Sequence, residues 1–323
     1  MAEVGFIRTS MPEETRVAIL PKEISQLSHP ERTFIEQGYA RHLGIDDDQY
    51  QKSGAKIVSR TEAYDKGAVC VPKPWIDDLE DFKPGQVAMG WFYLAEKKDL
   101  ARATIDKEMT VIGWQDMYDA DKNYTFERNR WFAGYIGVTQ ALPFAYASPK
   151  RLNIGVLGTK NGRVARGAIK RLEEEGLVEG ENFETFGRNG QERFRSLLST
   201  FDVVISCGYY DPTKGYLLTL RDLQEMKNEA LLIDACSDGI EGCEPHPAIS
   251  PFFWLGRHNR VLVYNNNHTP TMWPLEVSET MSEDLAPHLD DIINERTNPV
   301  LERATILKEG EIIDQRIRQL LEE

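Results

Sequence analysis

The sequence predicts an α/β protein with mainly parallel sheets, divided into two domains. Short apolar runs alternate with helical stretches over most of the chain, the order that builds parallel sheets covered by helices. At 323 residues the chain also passes the roughly 250–300 residues at which one hydrophobic core stops growing. Two long helical patterns bracket the central block, as crossovers between two domains would.

Taken in order, Val4–Ile7, Val17–Leu20, Val69–Val71, Val87–Met89 and Thr110–Gly113 read as strands. Pro21–Leu27, Glu31–Gly38, Asp46–Gly54 and Glu96–Asp106 read as helices. A long helix is expected from Phe126 to Tyr146; it has to tolerate Gly134 and Gly137, and Pro143 kinks or ends it. Strands follow at Asn153–Leu157, Phe183–Phe186, Val203–Ser206, Leu231–Ile233 and Val261–Tyr264, with a helix over Arg163–Glu175. A second long helix spans Pro274–Glu295, and short elements around Ile306–Ile317 close the chain. The expected domains are residues 1–130 with 278–323, and residues 131–277. One large sheet under two long helices is the alternative.

Composition narrows the function. The net charge of −14, from 52 acidic against 38 basic residues, disfavours nucleic acid and anionic membrane as partners. A small anionic substrate then needs a local basic pocket. No run of about 18 apolar residues is present, and the N-terminus lacks a signal-peptide core, so a cytoplasmic location is expected. Cys70, Cys207, Cys236 and Cys243 form no C-x-x-C pair. Cys236 and Cys243 with His246 and His258 fit no common zinc spacing, and free thiols in a reducing compartment are the expectation. No metal is called for.

The most informative segment runs from Asn153 to Ala168: an apolar strand, a turn holding Gly158 and Gly162, then a helix carrying Val164, Ala168 and Leu172. A dinucleotide pyrophosphate needs such a turn, because glycines admit the phosphates to the backbone and the helix N-terminus, here Arg163 and Val164, offers free N–H groups. Ala165 and Gly167 are small enough for this helix to pack closely on the strand. The spacing G-x-x-x-G-x-x-A departs from the usual G-x-G-x-x-G/A, and a plain strand–helix turn is the competing reading. The strand before, the helix after and the further units beyond favour the dinucleotide. The next strand ends in Gly187-Arg188, with no acid to bond a ribose 2′-hydroxyl. An arginine fork suits a 2′-phosphate, so NADPH is preferred over NADH. Cys207-Gly208 ends a further strand and lines the cofactor cleft or is an ordinary strand exit.

Several stretches together resemble one family. They are Glu14-Thr-Arg-Val-Ala-Ile-Leu-Pro21, Val71-Pro-Lys-Pro74, Thr104–Met117, Ala133-Gly-Tyr135, Gly162–Ala168, Ile233-Asp-Ala-Cys-Ser-Asp238, His268-Thr-Pro270 and Gly310–Ile317. In order and spacing they resemble the alanine dehydrogenase and saccharopine dehydrogenase superfamily, and within it the carboxyethylornithine synthases. The resemblance implies two Rossmann-like domains with the active site in the interdomain cleft, the first a substrate domain completed by the C-terminal tail. It implies NADPH-dependent condensation of pyruvate with the side-chain amine of ornithine or lysine, through imine reduction. An oligomer is common among the relatives it resembles.

Residue by residue, Arg16 and Lys73 match the family's carboxylate and carbonyl contacts, in segments read as strand ends. Arginine suits a carboxylate through its bidentate fork, and a partly desolvated lysine is a strong donor to a carbonyl. Each is otherwise a surface cation. The family's acid/base histidine falls at Tyr93 in Gly90-Trp-Phe-Tyr-Leu-Ala95. Tyrosine, with a pKa near 10, serves as an acid, leaves the role to another group such as His268, goes with a different substrate, or is a core residue without a catalytic part. Asp234 matches the carboxylate near the nicotinamide, and Asp238 is a weaker candidate. His268 faces the cleft or is a buried structural histidine.

Two rivals remain. An amino-acid dehydrogenase using ammonia is opposed by the missing histidine and by Gly187-Arg188. A dinucleotide-binding sensor without catalysis draws support from Tyr93 alone.

Overall fold

The computed structural model describes residues 1–208, 215–237, 239–256, 259–266 and 268–322. Asp238 and His258, named above, fall outside them. The chain divides into two compact units, Met1–Glu127 with Pro274–Glu323, and Arg128–Trp273. Each is an α/β unit built on its own sheet.

The first unit contains β1 (Val4–Phe6), α1 (Pro21–Ile24), β2 (Thr33–Glu36), α2 (Asp47–Lys52), β3 (Lys56–Val58), α3 (Arg60–Tyr64), β4 (Ala68–Cys70), β5 (Val87–Gly90), α4 (Lys98–Asp106) and β6 (Thr110–Gly113). The helix α5 (Glu127–Ala141) leads into the second unit, which holds β7 (Ile154–Leu157), α6 (Arg163–Glu174), β8 (Phe183–Phe186), α7 (Gln191–Ser196), β9 (Val203–Ser206), α8 (Leu220–Glu225), β10 (Leu231–Asp234), β11 (Phe252–Leu255) and β12 (Val261–Asn265). The chain then returns to the first unit with α9 (Pro274–Ile293), α10 (Pro299–Ala304), β13 (Thr305–Lys308), β14 (Glu311–Ile312) and α11 (Gln315–Glu322).

The first sheet has eight strands in the order β14-β13-β6-β5-β4-β1-β2-β3, and the second has six in the order β11-β12-β10-β9-β7-β8. Most neighbours are parallel, as expected, and three pairs are antiparallel. In the first unit β13 runs antiparallel to β6 and β14 to β13; in the second, β11 runs antiparallel to β12. The β13–β14 and β11–β12 pairs each lie at a sheet edge, where a short reversal adds a strand without a crossover helix. Pairing of β13 with β6 shows how the C-terminal tail completes the first unit.

Two local readings are overturned. Glu31–Gly38 is not a helix: a single turn at Pro30–Arg32 leads into β2, buried throughout, between β1 and β3. Its Thr-Phe-Ile core has strand chemistry, and burial on both faces erases the alternation that would have marked it. Val17–Leu20 is buried but is not a strand, because side chains take its backbone groups. The Val17 N–H donates to Ser278 Oγ (2.9 Å), the Ala18 N–H to the Tyr39 hydroxyl (2.8 Å) and the Leu20 N–H to Ser282 Oγ (2.8 Å), while the Tyr50 hydroxyl donates to the Ile19 carbonyl (2.9 Å). Arg16 therefore lies in an irregular buried segment rather than at a strand end. The strands β3 and β11 were not anticipated.

The glycines of α5 have a packing reason. A Cβ on Gly134 would lie 1.9 Å from the Val164 carbonyl oxygen, and one on Gly167 would lie 2.0 Å from that of Trp131. Helices α5 and α6 thus touch backbone to backbone. Gly167 serves this helix crossing rather than packing on the strand; Ala165 faces the strand side, beside Gly158. Helix α5 ends at Ala141, and Pro143 sits in the turn that follows.

One titrating group in the first unit predicts a pH response. His288, in α9, lies near Asn298 Nδ2 (3.0 Å) and Thr125 Oγ1 (3.5 Å), and burial holds its pKa below the usual value against the pull of Asp291. The folded state binds this proton less readily than the unfolded chain, so stability falls as pH drops through about 6.5 toward the lower folded value. Urea midpoints of wild type and His288→Gln measured from pH 7.5 to 5 should converge toward acid pH. A constant gap would exclude the linkage.

Candidate active site

In the first unit the predicted cation and tyrosine sites gather at the carboxyl ends of β4 and β5. The loop after β4 carries Lys73, half-buried. Its carbonyl accepts from Thr9 Oγ1 (2.6 Å), and buried Asp78 takes the backbone N–H groups of Ser10 and Trp75 (both 2.8 Å). Arg60 Nη2 holds the same carboxylate at 3.0 Å. The Trp91 N–H, just beyond β5, donates to the Pro72 carbonyl (2.9 Å), tying the loop of Lys73 to that of Tyr93.

Arg16 is no surface cation: it is 6% exposed. Its Nε donates to Glu14 Oε1 at 2.7 Å and its Nη2 to Glu14 Oε2, while the guanidinium sits 5.0 Å from the Trp91 ring centroid. Burial works against the charge, but Glu14, by charge and hydrogen bond, with Tyr93 and Tyr124 beyond it, more than offsets this and raises the pKa. The charge is fixed and its direction set by a carboxylate and an indole. Trp91 is anchored in turn, its Nε1–H donating to the Tyr124 hydroxyl at 2.9 Å, amid edge-on contacts with Trp114 and Phe126.

Tyr93, the residue in place of a histidine, has φ 49°. A left-handed backbone at a non-glycine residue costs roughly 1 kcal/mol or more, and such strain concentrates where a side chain must be aimed. Lys97 was missed by the sequence reading: its Nζ stands 5.9 Å from the Tyr93 ring centroid and 5.8 Å from that of Trp75. Burial lowers its pKa, with Glu96 opposing. Glu14 and Trp91 were missed too, although both sit inside stretches quoted above.

In the second unit the predicted cofactor residues converge on the carboxyl ends of β7, β8 and β9. A Cβ on Gly158 would meet Cys207 Cβ at 2.9 Å and Ala165 Cβ at 3.3 Å, so only glycine fits where the turn crosses β9 and α6. Gly162 is the N-cap of α6 and donates its N–H to Thr159 O at 2.7 Å; Arg163 and Val164 open the helix. Gly187 lies 3.7 Å from the Thr159 methyl, measured from its would-be Cβ. Arg188, exposed beside it, has no carboxylate partner among the described residues. Cys207 is buried with its thiol pKa pushed up by burial, then by Asp234. Gly208 packs against Leu217.

The register of the second sheet sets Ser206, Asp234 and Asn265 side by side at the ends of β9, β10 and β12. All three are fully buried. Asp234 Oδ1 accepts from the N–H groups of Ser237 (3.0 Å) and Cys236 (3.2 Å). Ser206 Oγ and Asn265 Oδ1 have no hydrogen-bond partner among the described residues. Unsatisfied buried polar atoms at strand ends fit a polar ligand, such as the ribose and amide of a nicotinamide nucleotide. His268 follows β12, 4% exposed, its N–H donating to Asn266 Oδ1 at 2.9 Å. No group of three or more His, Cys, Asp or Glu suited to a metal occurs among the described residues, and no helix there is long and apolar enough to cross a membrane.

Comparison with known proteins agrees with this architecture. Residues 6–128 match the family model of the alanine dehydrogenase/PNT N-terminal domain. Over 309 residues the chain is 25% identical to an N(5)-(carboxyethyl)ornithine synthase of Clostridium botulinum, covering 89% of this chain and 93% of the relative. An alanine dehydrogenase of Methanococcus maripaludis matches at 28% over 124 residues, 37% of this chain and 33% of the relative. An L-alanine dehydrogenase structure superposes with a TM-score of 0.85 at 16% identity, over 99% of both chains, which establishes the shared fold. The resemblance read from the sequence is borne out.

Proposed function

We propose that this protein is an NADPH-dependent oxidoreductase acting on C–N bonds, which joins the side-chain amine of an ornithine- or lysine-type amino acid to a 2-keto acid such as pyruvate. One observation carries this reading over the ammonia-using alternative: similarity to a carboxyethylornithine synthase runs through 89% of the chain, whereas that to the alanine dehydrogenase covers 37%.

Arg16, fixed by Glu14 and Trp91, grips the keto-acid carboxylate, and Lys73 donates to its carbonyl oxygen. The neutral amine attacks that carbon, and its proton passes to the oxygen, giving a carbinolamine. Tyr93 gives a proton to the departing hydroxyl, so that water leaves and an iminium remains. A bound reduced nicotinamide supplies the hydride that this carbon accepts. Gly158, Gly162, Arg163 and Val164 hold the pyrophosphate at the start of α6, and Cys207 and Gly208 line the adjoining strand exit. Ser206, Asp234 and Asn265, with His268, hold the nicotinamide end.

Arg188 at the end of β8 selects the 2′-phosphate. Arg188→Ser should raise the KM for NADPH about tenfold or more, the loss of a charge-assisted contact, and leave that for NADH within about twofold. Equal effects on both cofactors would refute the assignment. The function itself is tested by NADPH oxidation with pyruvate and a panel of amines.

A further inference from the structure

The first unit has a second basic pocket that the chemistry above leaves unused. A cavity of about 500 Å³ is lined by Arg8, Gln37, Gly38, Arg41 and His42. Arg8 follows β1 and the other four follow β2, so the cavity opens at the carboxyl ends of two adjacent parallel strands. Ligands in open α/β sheets collect along this edge at the switch point, which here lies one strand away, between β4 and β1. Two arginines share this cavity in a chain of net charge −14.

Both guanidinium groups retain donors for a ligand. Arg8 approaches Glu36 at 3.5 Å and Arg41 approaches Asp47 at 3.8 Å, ion pairs too long for good hydrogen bonds. The carboxylates behind them are held elsewhere: Glu36 Oε2 accepts the Arg8 N–H at 2.9 Å, and Asp47 Oδ1 accepts the Gly38 N–H at 2.7 Å. The pocket is also tied to the candidate active site. His42 Nε2 lies 2.6 Å from the carbonyl oxygen of Thr15, the residue before Arg16.

Sheet order supplies a ruler. Along the carboxyl edge, β4 with Lys73 is followed by β1 with Arg8 and then β2 with Gly38 and Arg41. Neighbouring strands lie about 4.8 Å apart, so the pocket stands roughly 5–10 Å along the edge from Lys73. An extended diamino monocarboxylic acid separates its terminal amine from its carboxylate by about 6–7 Å, at standard bond lengths. Ammonia has no such second group, and a short amino acid cannot reach.

We infer that the Arg8–Arg41 pocket binds the carboxylate of the amino-acid substrate, and so selects diamino acids that present their far amine at Lys73. This rests on the condensing function proposed above. It is tested with full-length protein, pyruvate and NADPH, comparing ornithine with putrescine, the same amine without the carboxylate. In Arg8→Gln/Arg41→Gln the KM for ornithine should rise about tenfold or more. The KM for pyruvate and the kcat/KM for putrescine should stay within about twofold, because both side chains are exposed and neither is assigned a contact with the keto acid. An unchanged KM for ornithine, or an equal loss with putrescine, overturns the inference while leaving the condensing function standing. Wild-type protein inert toward pyruvate with every amine overturns that function and the inference with it.

Discussion

If Lys73 donates to the keto-acid carbonyl as proposed, Lys73→Met should lower kcat/KM for the keto acid by about a thousandfold, within the range that a positioned acid–base or polarising group contributes. The loss falls mostly on kcat, since a donor to the carbonyl oxygen is needed most as charge develops there. The affinity for NADPH, read by fluorescence titration, should be unchanged. Lys73 is only half-buried, and its loop is held by Thr9 and Asp78. Folding is therefore preserved, and steady-state kinetics report chemistry. A loss below tenfold would mean that Lys73 does not touch the reacting carbonyl.

Gly134→Ala and Gly167→Ala each destabilise the second unit by about 2–3 kcal/mol, the upper part of the usual overpacking range. Alanine is intrinsically the better helix former, by roughly 1 kcal/mol. Sterics outweigh it here, because the new Cβ would sit 1.9 Å or 2.0 Å from a carbonyl oxygen of the facing helix. Neither backbone can yield alone, since Ala165, Ala168 and Leu172 of α6 and Val138 and Ala141 of α5 are packed in one core behind the crossing. Calorimetry should show the Tm of each variant lowered by about 5–10 °C. Gly137→Ala is the control: its Cβ would meet its nearest neighbours at 3.7 Å and beyond, ordinary contact. It should be neutral or stabilising. A Gly134 variant as stable as the Gly137 variant would deny the close crossing.

These glycines show where the sequence was legible and where it was not. The strand–turn–helix around Gly158 could be read because its elements are neighbours in the chain and its glycines meet a local demand. Gly134 looked like a flaw in a helix because its partner, Val164, is 30 residues away. The same division holds for the site. Arg16, Lys73 and Tyr93 stood out as chemical types in recognisable stretches, whereas the environments that tune them are tertiary: Trp91 under the Arg16 guanidinium, Lys97 over the Tyr93 ring. Val17–Leu20 has the composition of a strand, but the hydroxyls of Tyr39, Tyr50, Ser278 and Ser282 take its backbone groups from a ladder. β2 hid its nature because every residue in it is buried, leaving no period to read. β11 escaped notice as a four-residue edge strand, where pairing depends on a neighbour rather than on its own pattern.

The most direct measurement is the oxidation of NADPH, followed by its absorbance, with pyruvate present and ornithine, lysine or ammonia supplied in turn. The account predicts turnover that requires both pyruvate and a diamino acid, with little from ammonia. Turnover with ammonia equal to that with ornithine, or none with any amine while NADPH binds, would contradict it.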